Sequence, residues 1–160
     1  MNFADTNWIE PMYVAPDPHD RGAIGRRKAV LREMKRRPFL KTSSLVDYEV
    51  WAVFHRRFGP KPPPWEVYQR DCEARRIEVC GVDETALLSR AREIHARHGH
   101  LGRIGALDVL HLSAAELIGC DTLYSFDSGS LFRALALARR MRLVPGPTAA
   151  DRAAAAKLRG

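Results

Sequence analysis

Four carboxylates stand on otherwise apolar stretches of this chain, far apart in sequence: Asp5 in FADTNW, Glu49 in SLVDYEVW, Asp108 in ALDVLHL and Asp127 in TLYSFD. A cap or an ion pair accounts for any one of them. Four together pose a different problem, because carboxylates brought close repel one another and hold protons unless a cation joins them. Asp108 makes the strongest case, since Leu107, Val109, Leu110 and Leu112 leave it little polar company, and a carboxylate there is costly unless paired, hydrogen-bonded or bound to a cation. All-oxygen ligands select hard ions, so Mg²⁺ or Mn²⁺ is the expected cofactor. Such sites keep open positions, which suits phosphoryl chemistry.

These acids need elements to hold them. Residues 2 to 5 (NFAD) read as a short strand ending on Asp5, and DTLYSF as another running into Asp127; PFLKTS, RIEVCGV and RLVP read as three more. Helical stretches lie between them. One runs from about Ala23 to Arg36, with Ile24, Val30, Leu31 and Met34 on its apolar stripe and Pro38 ending it. SLVDYEVWAVFHRRFG, capped by Ser43 or Ser44 and stopped by Gly59, turns Leu45, Val46, Val50, Val53 and Phe54 inward. After the break GPKPPPW comes a helix from Trp65 to Arg75. Asp83 caps the next, which places Leu87, Leu88, Ala91 and Ile94 on one face. GALDVLHLSAAELIG is apolar nearly all round and reads as a central buried helix. SGSLFRALALARRM is a helix with Ser128 as candidate cap and Leu131, Leu135 and Ala138 on its stripe.

MYVAPDPHD reads as a polar connection. Residues 145 to 160 are rich in alanine but show no stripe to dock, so a tail that frays or waits for a partner is expected beyond a domain of residues 1 to 144. Strands alternating with helices imply an α/β domain, its open, mostly parallel sheet covered on both faces. In such sheets sites form at the carboxyl ends of the strands, where Asp5 and Asp127 fall.

The net charge of +7 is concentrated in one element. Residues 21 to 41 carry nine Lys or Arg against Glu33 alone, a local +8 that leaves the remainder about neutral. A solvated helix face explains any charge run, but this concentration also suits a polyanion, and Arg26, Arg27, Lys28 and Arg32 are the candidates for binding an RNA backbone. No apolar run approaches the ~18 residues of a membrane span. With no signal-peptide pattern at the start, a cytoplasmic protein is expected, its three cysteines (Cys72, Cys80, Cys120) free. HARHGH invites a zinc reading through His95, His98 and His100, but no cysteine lies near and histidines in a last helical turn also suit the macrodipole.

In order and spacing, FADTNW, SSLVDYEVW, LDVLHLSAAELIGCDTLYSFD and ALALARRMRLV resemble the PIN-domain ribonucleases, and within them the VapC-type toxins of bacterial toxin-antitoxin pairs. The resemblance implies a three-layer α/β/α domain with a short central sheet. It implies a metal-dependent endoribonuclease in which Asp5, Glu49, Asp108 and Asp127 are the catalytic metal ligands, and Thr6 and Asn7 hold the acids by hydrogen bonds. Ser125 stands where a Thr is more usual, its hydroxyl placed to orient a carboxylate. His111, one turn after Asp108 on the same face, is placed either to touch the substrate or, as is common in the family, to pack. The expected partners are an RNA substrate, a cognate antitoxin whose tail lies across the groove, and a second copy in a homodimer.

Two other readings use the same residues. A noncatalytic RNA- or protein-binding module on this fold would bind through the basic helix and need no metal. A receiver-like domain also carries acids at strand ends, but would want paired acids after the first strand and a lysine on the last, which VDYEV and RLVP do not supply.

Overall fold

The structure is a computed structural model and describes residues 1–36, 39–99, 105–127 and 131–159. Five short strands, β1 (Asn2–Ala4), β2 (Leu40–Ser43), β3 (Ile77–Cys80), β4 (Thr122–Tyr124) and β5 (Arg142–Val144), pair in parallel in the order β3-β2-β1-β4-β5. Among the described residues eight helices connect and cover them: α1 (Thr6–Tyr13), α2 (Arg21–Arg36), α3 (Ser44–Phe58), α4 (Pro63–Glu73), α5 (Glu84–His98), α6 (Ala106–Leu117), α7 (Leu131–Ala138) and α8 (Ala149–Arg159).

The strand order fixes the layers. From β1 the chain steps outward to β2 and β3, then returns to the other side of β1 for β4 and β5. Because parallel crossovers are right-handed, reversing the direction of travel puts the connecting helices on the opposite face. Accordingly α1, α2, α3 and α4 pack among themselves on one side, and α5, α6, α7 and α8 on the other. The reversal lies between β1 and β4, and the carboxyl ends of these two strands flank it. Both strands are buried, with Phe3, Ala4, Leu123 and Tyr124 fully inaccessible, each large side chain contributing roughly 2 kcal/mol by burial.

Several elements depart from the expected pattern. The stretch after Asp5 is a helix, and Met12 and Tyr13, expected to open the connection, are its last turn: Trp8, Ile9, Met12 and Tyr13 share a face of α1, with Trp8 and Ile9 buried. Pro11 sits inside this helix, where it lacks an N–H to donate. On α2, Val30 is buried but Leu31 is exposed, and on α5 Leu88 is exposed beside buried Leu87. The first turn of α6 is open to solvent, with Leu107 54% exposed, so the buried character expected all along that helix begins only at Val109. The C-terminal segment does not fray within the chain. Its α8 packs on α7 through Asp151, Ala155 and Leu158, a stripe at helical spacing whose first member is charged. Pro38, His100 and Ser128 lie outside the described residues.

Candidate active site

Asp5 follows the last residue of β1 and ends up at the reversal of the sheet because its N–H donates to the carbonyl of Tyr124 on β4, 3.2 Å away. Its backbone is extended, and its Oδ1 accepts from the N–H of Trp8 at 3.1 Å, so the carboxylate caps α1. Only 4% of the residue is exposed. Burial is the main force on its pKa and pushes it up to about 7, with the charge of Asp127 adding to the rise; a hydrogen bond from Ser125, the Trp8 N–H and the His111 charge offset part of it. Among the described residues it pairs with no Lys or Arg.

Glu49 arrives from α3 and is held at both sides. Thr6 Oγ1 donates to its Oε2, and the same oxygen lies 3.1 Å from Nε2 of His111. Burial acts to raise the Glu49 pKa, but the hydrogen bonds from His111 and Thr6 outweigh it and hold the carboxyl below its ordinary value. His111 is buried, and its Nδ1 finds no hydrogen-bond partner among the described residues. It therefore sits inside the acid group, bonded to one member.

Asp108 stands half-buried in the first turn of α6, where it accepts from the backbone N–H of Gly105. A Cβ built at Gly105 would come within 2.8 Å of its Oδ2, so the glycine leaves room for this carboxylate. Burial raises the Asp108 pKa first, and then the charge of Asp127, with Glu49 adding less. Asp127 follows β4, and its N–H donates to Ser125 Oγ at 3.1 Å. Ser125 and Asn7 bind this strand end to α1: the Phe126 N–H donates to Asn7 Oδ1 at 2.7 Å, and Asn7 Nδ2 lies 3.4 Å from Ser125 Oγ.

Asp5, Glu49, Asp108, Asp127 and His111 thus act on one another's charge at the carboxyl end of the sheet. As they stand, no three His, Cys, Asp or Glu side chains among the described residues form a group that could hold a metal ion. The donor set nonetheless fits a hard dication in its chemistry. Its oxygens come from carboxylates, and Asp5, whose burial with the charge of Asp127 raises its pKa to about 7, would give up its proton readily to a bound cation.

The basic helix divides its cations. Arg27 donates to the carbonyls of Pro11 (3.1 Å) and Val14 (2.6 Å) and so fastens α2 to α1. Arg26 lies 3.9 Å from Asp20, while Lys28 and Arg32 are exposed. A cleft of about 390 Å³ is lined by Asn7, Phe126, Arg26, Arg27 and Arg57, and by none of the four acids. Arg133 on α7 entered no sequence argument, yet it is buried at 2% exposure and donates to the carbonyl of Ser125. A charged residue inside the apolar run LFRALALA was the available signal.

The PIN domain family matches residues 5–138, which include all four acids. The chain belongs to the PIN-domain family. The crystal structure of Mycobacterium tuberculosis VapC20, described as a sarcin-ricin loop cleaving toxin, superposes with a TM-score of 0.64 at 22% identity, over 84% of this chain and 94% of that one. At that identity the likeness speaks for the fold. No curated protein matches the chain by sequence. The matched PIN domain begins on Asp5 and ends at the last residue of α7, so β5 and α8 lie beyond it.

Proposed function

We propose that this PIN domain is a metal-dependent endoribonuclease that cuts RNA phosphodiester bonds, and that it is the toxin of a toxin-antitoxin pair. The observation that carries the reading is Asp5, a buried carboxyl without a Lys or Arg partner among the described residues, raised to about 7 and electrostatically coupled to Asp127 and His111. When bound, Mg²⁺ or Mn²⁺ supplies positive charge for the scissile phosphate and acidifies a water molecule. Asp5, Glu49, Asp108 and Asp127 would hold the ion. Thr6 and His111 orient Glu49, and Asn7 and Ser125 fix the loop that carries Asp127. Exposed Lys28 and Arg32 on α2, with Arg26 of the same helix at the cleft, would meet the RNA backbone.

An antitoxin tail laid along the cleft and a homodimer are part of the same proposal. The exposed stack of Tyr48 on Trp51, centroids 5.7 Å apart, with Phe58 further along α3, supports a protein contact there. Cytoplasmic action is supported by the free Cys72, Cys80 and Cys120 and by the lack, among the described residues, of a helix long and apolar enough to cross a membrane.

A noncatalytic RNA- or protein-binding module is favoured by one observation, that Glu49 is already engaged by Thr6 and His111. Calorimetry with Mn²⁺ and single-stranded RNA on the wild type and Asp108→Ala decides between the two. The nuclease reading expects metal binding and cleavage in the wild type, both lost in the variant. RNA affinity without any metal binding would leave the module.

A further inference from the structure

Arg133 is a buried charged side chain whose guanidinium is engaged by four acceptors. Its guanidinium donates to the carbonyls of Ser125 at the end of β4, of Pro145 (2.7 Å) and Gly146 (3.0 Å) after β5, and to Asp151 Oδ2 (3.2 Å) in α8. Asp151 is itself 4% exposed and set in place twice over. Its Oδ2 accepts from the Thr148 N–H at 2.8 Å while its own N–H donates to Thr148 Oγ1 at 3.1 Å, a reciprocal cap at the start of α8. One planar cation therefore ties together α7, the ends of two strands and the first turn of the C-terminal helix.

The residue at the far end of this tie belongs to the acid site. Ser125 is fully buried; its carbonyl faces Arg133, and its hydroxyl receives the Asp127 N–H and hydrogen-bonds to Asp5. Rotation of the Ser125 peptide would move Ser125 Oγ and the backbone of Asp127 together, and the guanidinium on its carbonyl resists that rotation. Solvent cannot substitute for the guanidinium, because the pair is closed to water. Ion pairs this deeply buried are weak evidence for added stability, which leaves geometry as their use.

We propose that Arg133, held by Asp151 of α8, is a positioning residue for the acid site: it fixes the Ser125 peptide, and through it Asp127 and Asp5, so that the C-terminal helix is a working part of the site although it lies outside the matched domain. The proposal rests on the nuclease reading. It adds that residues 149–159 act on catalysis from the opposite side of the Ser125 loop.

The test uses the full chain with Arg133→Lys, Asp151→Asn and the double change Arg133→Met with Asp151→Leu, which replaces the buried pair by apolar side chains and so guards against loss of the fold. Cleavage of single-stranded RNA is measured in Mn²⁺ well below each melting temperature, with amide spectra of the metal-free proteins alongside. The expected result is a fall in kcat of about tenfold or more with KM for RNA within about twofold, together with shifts in the Ser125, Phe126 and Asp127 amides and the Asn7 side-chain amide. Folded variants that melt lower but keep the wild-type kcat would overturn the proposal. If the wild type cleaves no RNA, the nuclease reading falls. The spectra then decide alone: changes that stop at α7, α8 and residues 145–146 reject the positioning role, and changes that reach Asp127 and Asn7 support it.

Discussion

The paired strands β1 and β4 have acids near both ends of the sheet, Asp121 at the amino end and Asp5 and Asp127 at the carboxyl end, and the two ends treat them in opposite ways. At the amino end Asp121, just before β4, pairs at 2.8 Å with the ammonium of Met1 and stands 76% exposed. That hydrogen bond and a second from Thr122 hold its carboxyl below the usual value. At the carboxyl end Asp5 is buried beside Asp127, and burial drives its pKa up. Asp121 is satisfied at the surface by a cation of the chain, whereas Asp5 is buried with no Lys or Arg beside it among the described residues. The difference separates an acid that completes a structure from one that burial leaves able to gain or lose a proton near neutrality.

Replacing Asp5 by Asn is the strongest way to break the contrast. Asn still caps α1 but cannot bind a hard cation as a charged ligand. Loss of the ion's contribution, several kcal/mol, corresponds to a fall in cleavage of about a thousandfold or more, read in single-turnover assays with Mn²⁺. Stability should move the other way. The folded pKa of about 7 lies above the unfolded value of ~3.9, so the folded state binds more protons across that interval, and metal-free wild type loses stability as pH rises from about 4 to 7. Asp5→Asn should therefore melt higher than wild type at pH 8 and show little advantage at pH 4. Added Mn²⁺ should raise the wild-type melting temperature more at pH 8 than at pH 5, because the ion competes with the proton on Asp5. Equal shifts at both pH values would detach Asp5 from the metal.

A smaller change sharpens the comparison within the acid end. Unlike Asp5 and Asp108, Glu49 has its pKa held down, because His111 and Thr6 donate to it. His111→Ala removes one donor and leaves a space beside a buried strand end. Orienting partners of metal ligands typically change affinity or activity by about 10- to 100-fold, so cleavage should drop within that range and the Mn²⁺ concentration for half-maximal rate should rise. Thr6→Ala, which deletes a single hydroxyl, belongs at the lower end. An unchanged metal requirement in both would reduce the His111–Glu49 contact to packing.

How far these contrasts could be read in the sequence depends on whether a residue's meaning is local. The alternating strands and helices were legible, as were the caps at Ser43 and Asp83, because each is written within a few neighbouring residues. The four acids stood out because each interrupts an apolar run. Helix α1 was hidden by Pro11 and by its length of only 8 residues. The docking of α8 was hidden differently: its stripe begins with Asp151, which reads as polar until Arg133, 18 positions earlier, is seen to neutralise it. Arg133 looked like an interruption of LFRALALA for the same reason. Arg27 points the same way, since nothing near it in sequence announces that it serves the carbonyls of Pro11 and Val14 and is not a free cation for RNA.

The smallest expected effect completes the comparison from the amino end. Asp121→Asn removes a carboxylate that shares strand β4's sequence neighbourhood with Asp127 but sits at the opposite end of the strand. An ion pair this exposed is screened by water and salt and contributes under about 1 kcal/mol. Because its folded pKa is lowered, whatever it contributes is present above the unfolded value of ~3.9 and is lost as pH falls through the folded one. At pH 7 the variant should therefore melt within a few degrees of wild type, and the gap should close under acid or in high salt. Cleavage and its Mn²⁺ dependence should be unchanged. Carboxylates at the two ends of the sheet, Asp121 and Asp5, would then differ by about three orders of magnitude in what their loss does to the reaction, and a drop in cleavage from Asp121→Asn would mean that charge anywhere on these strands is felt at the site, whichever end it occupies.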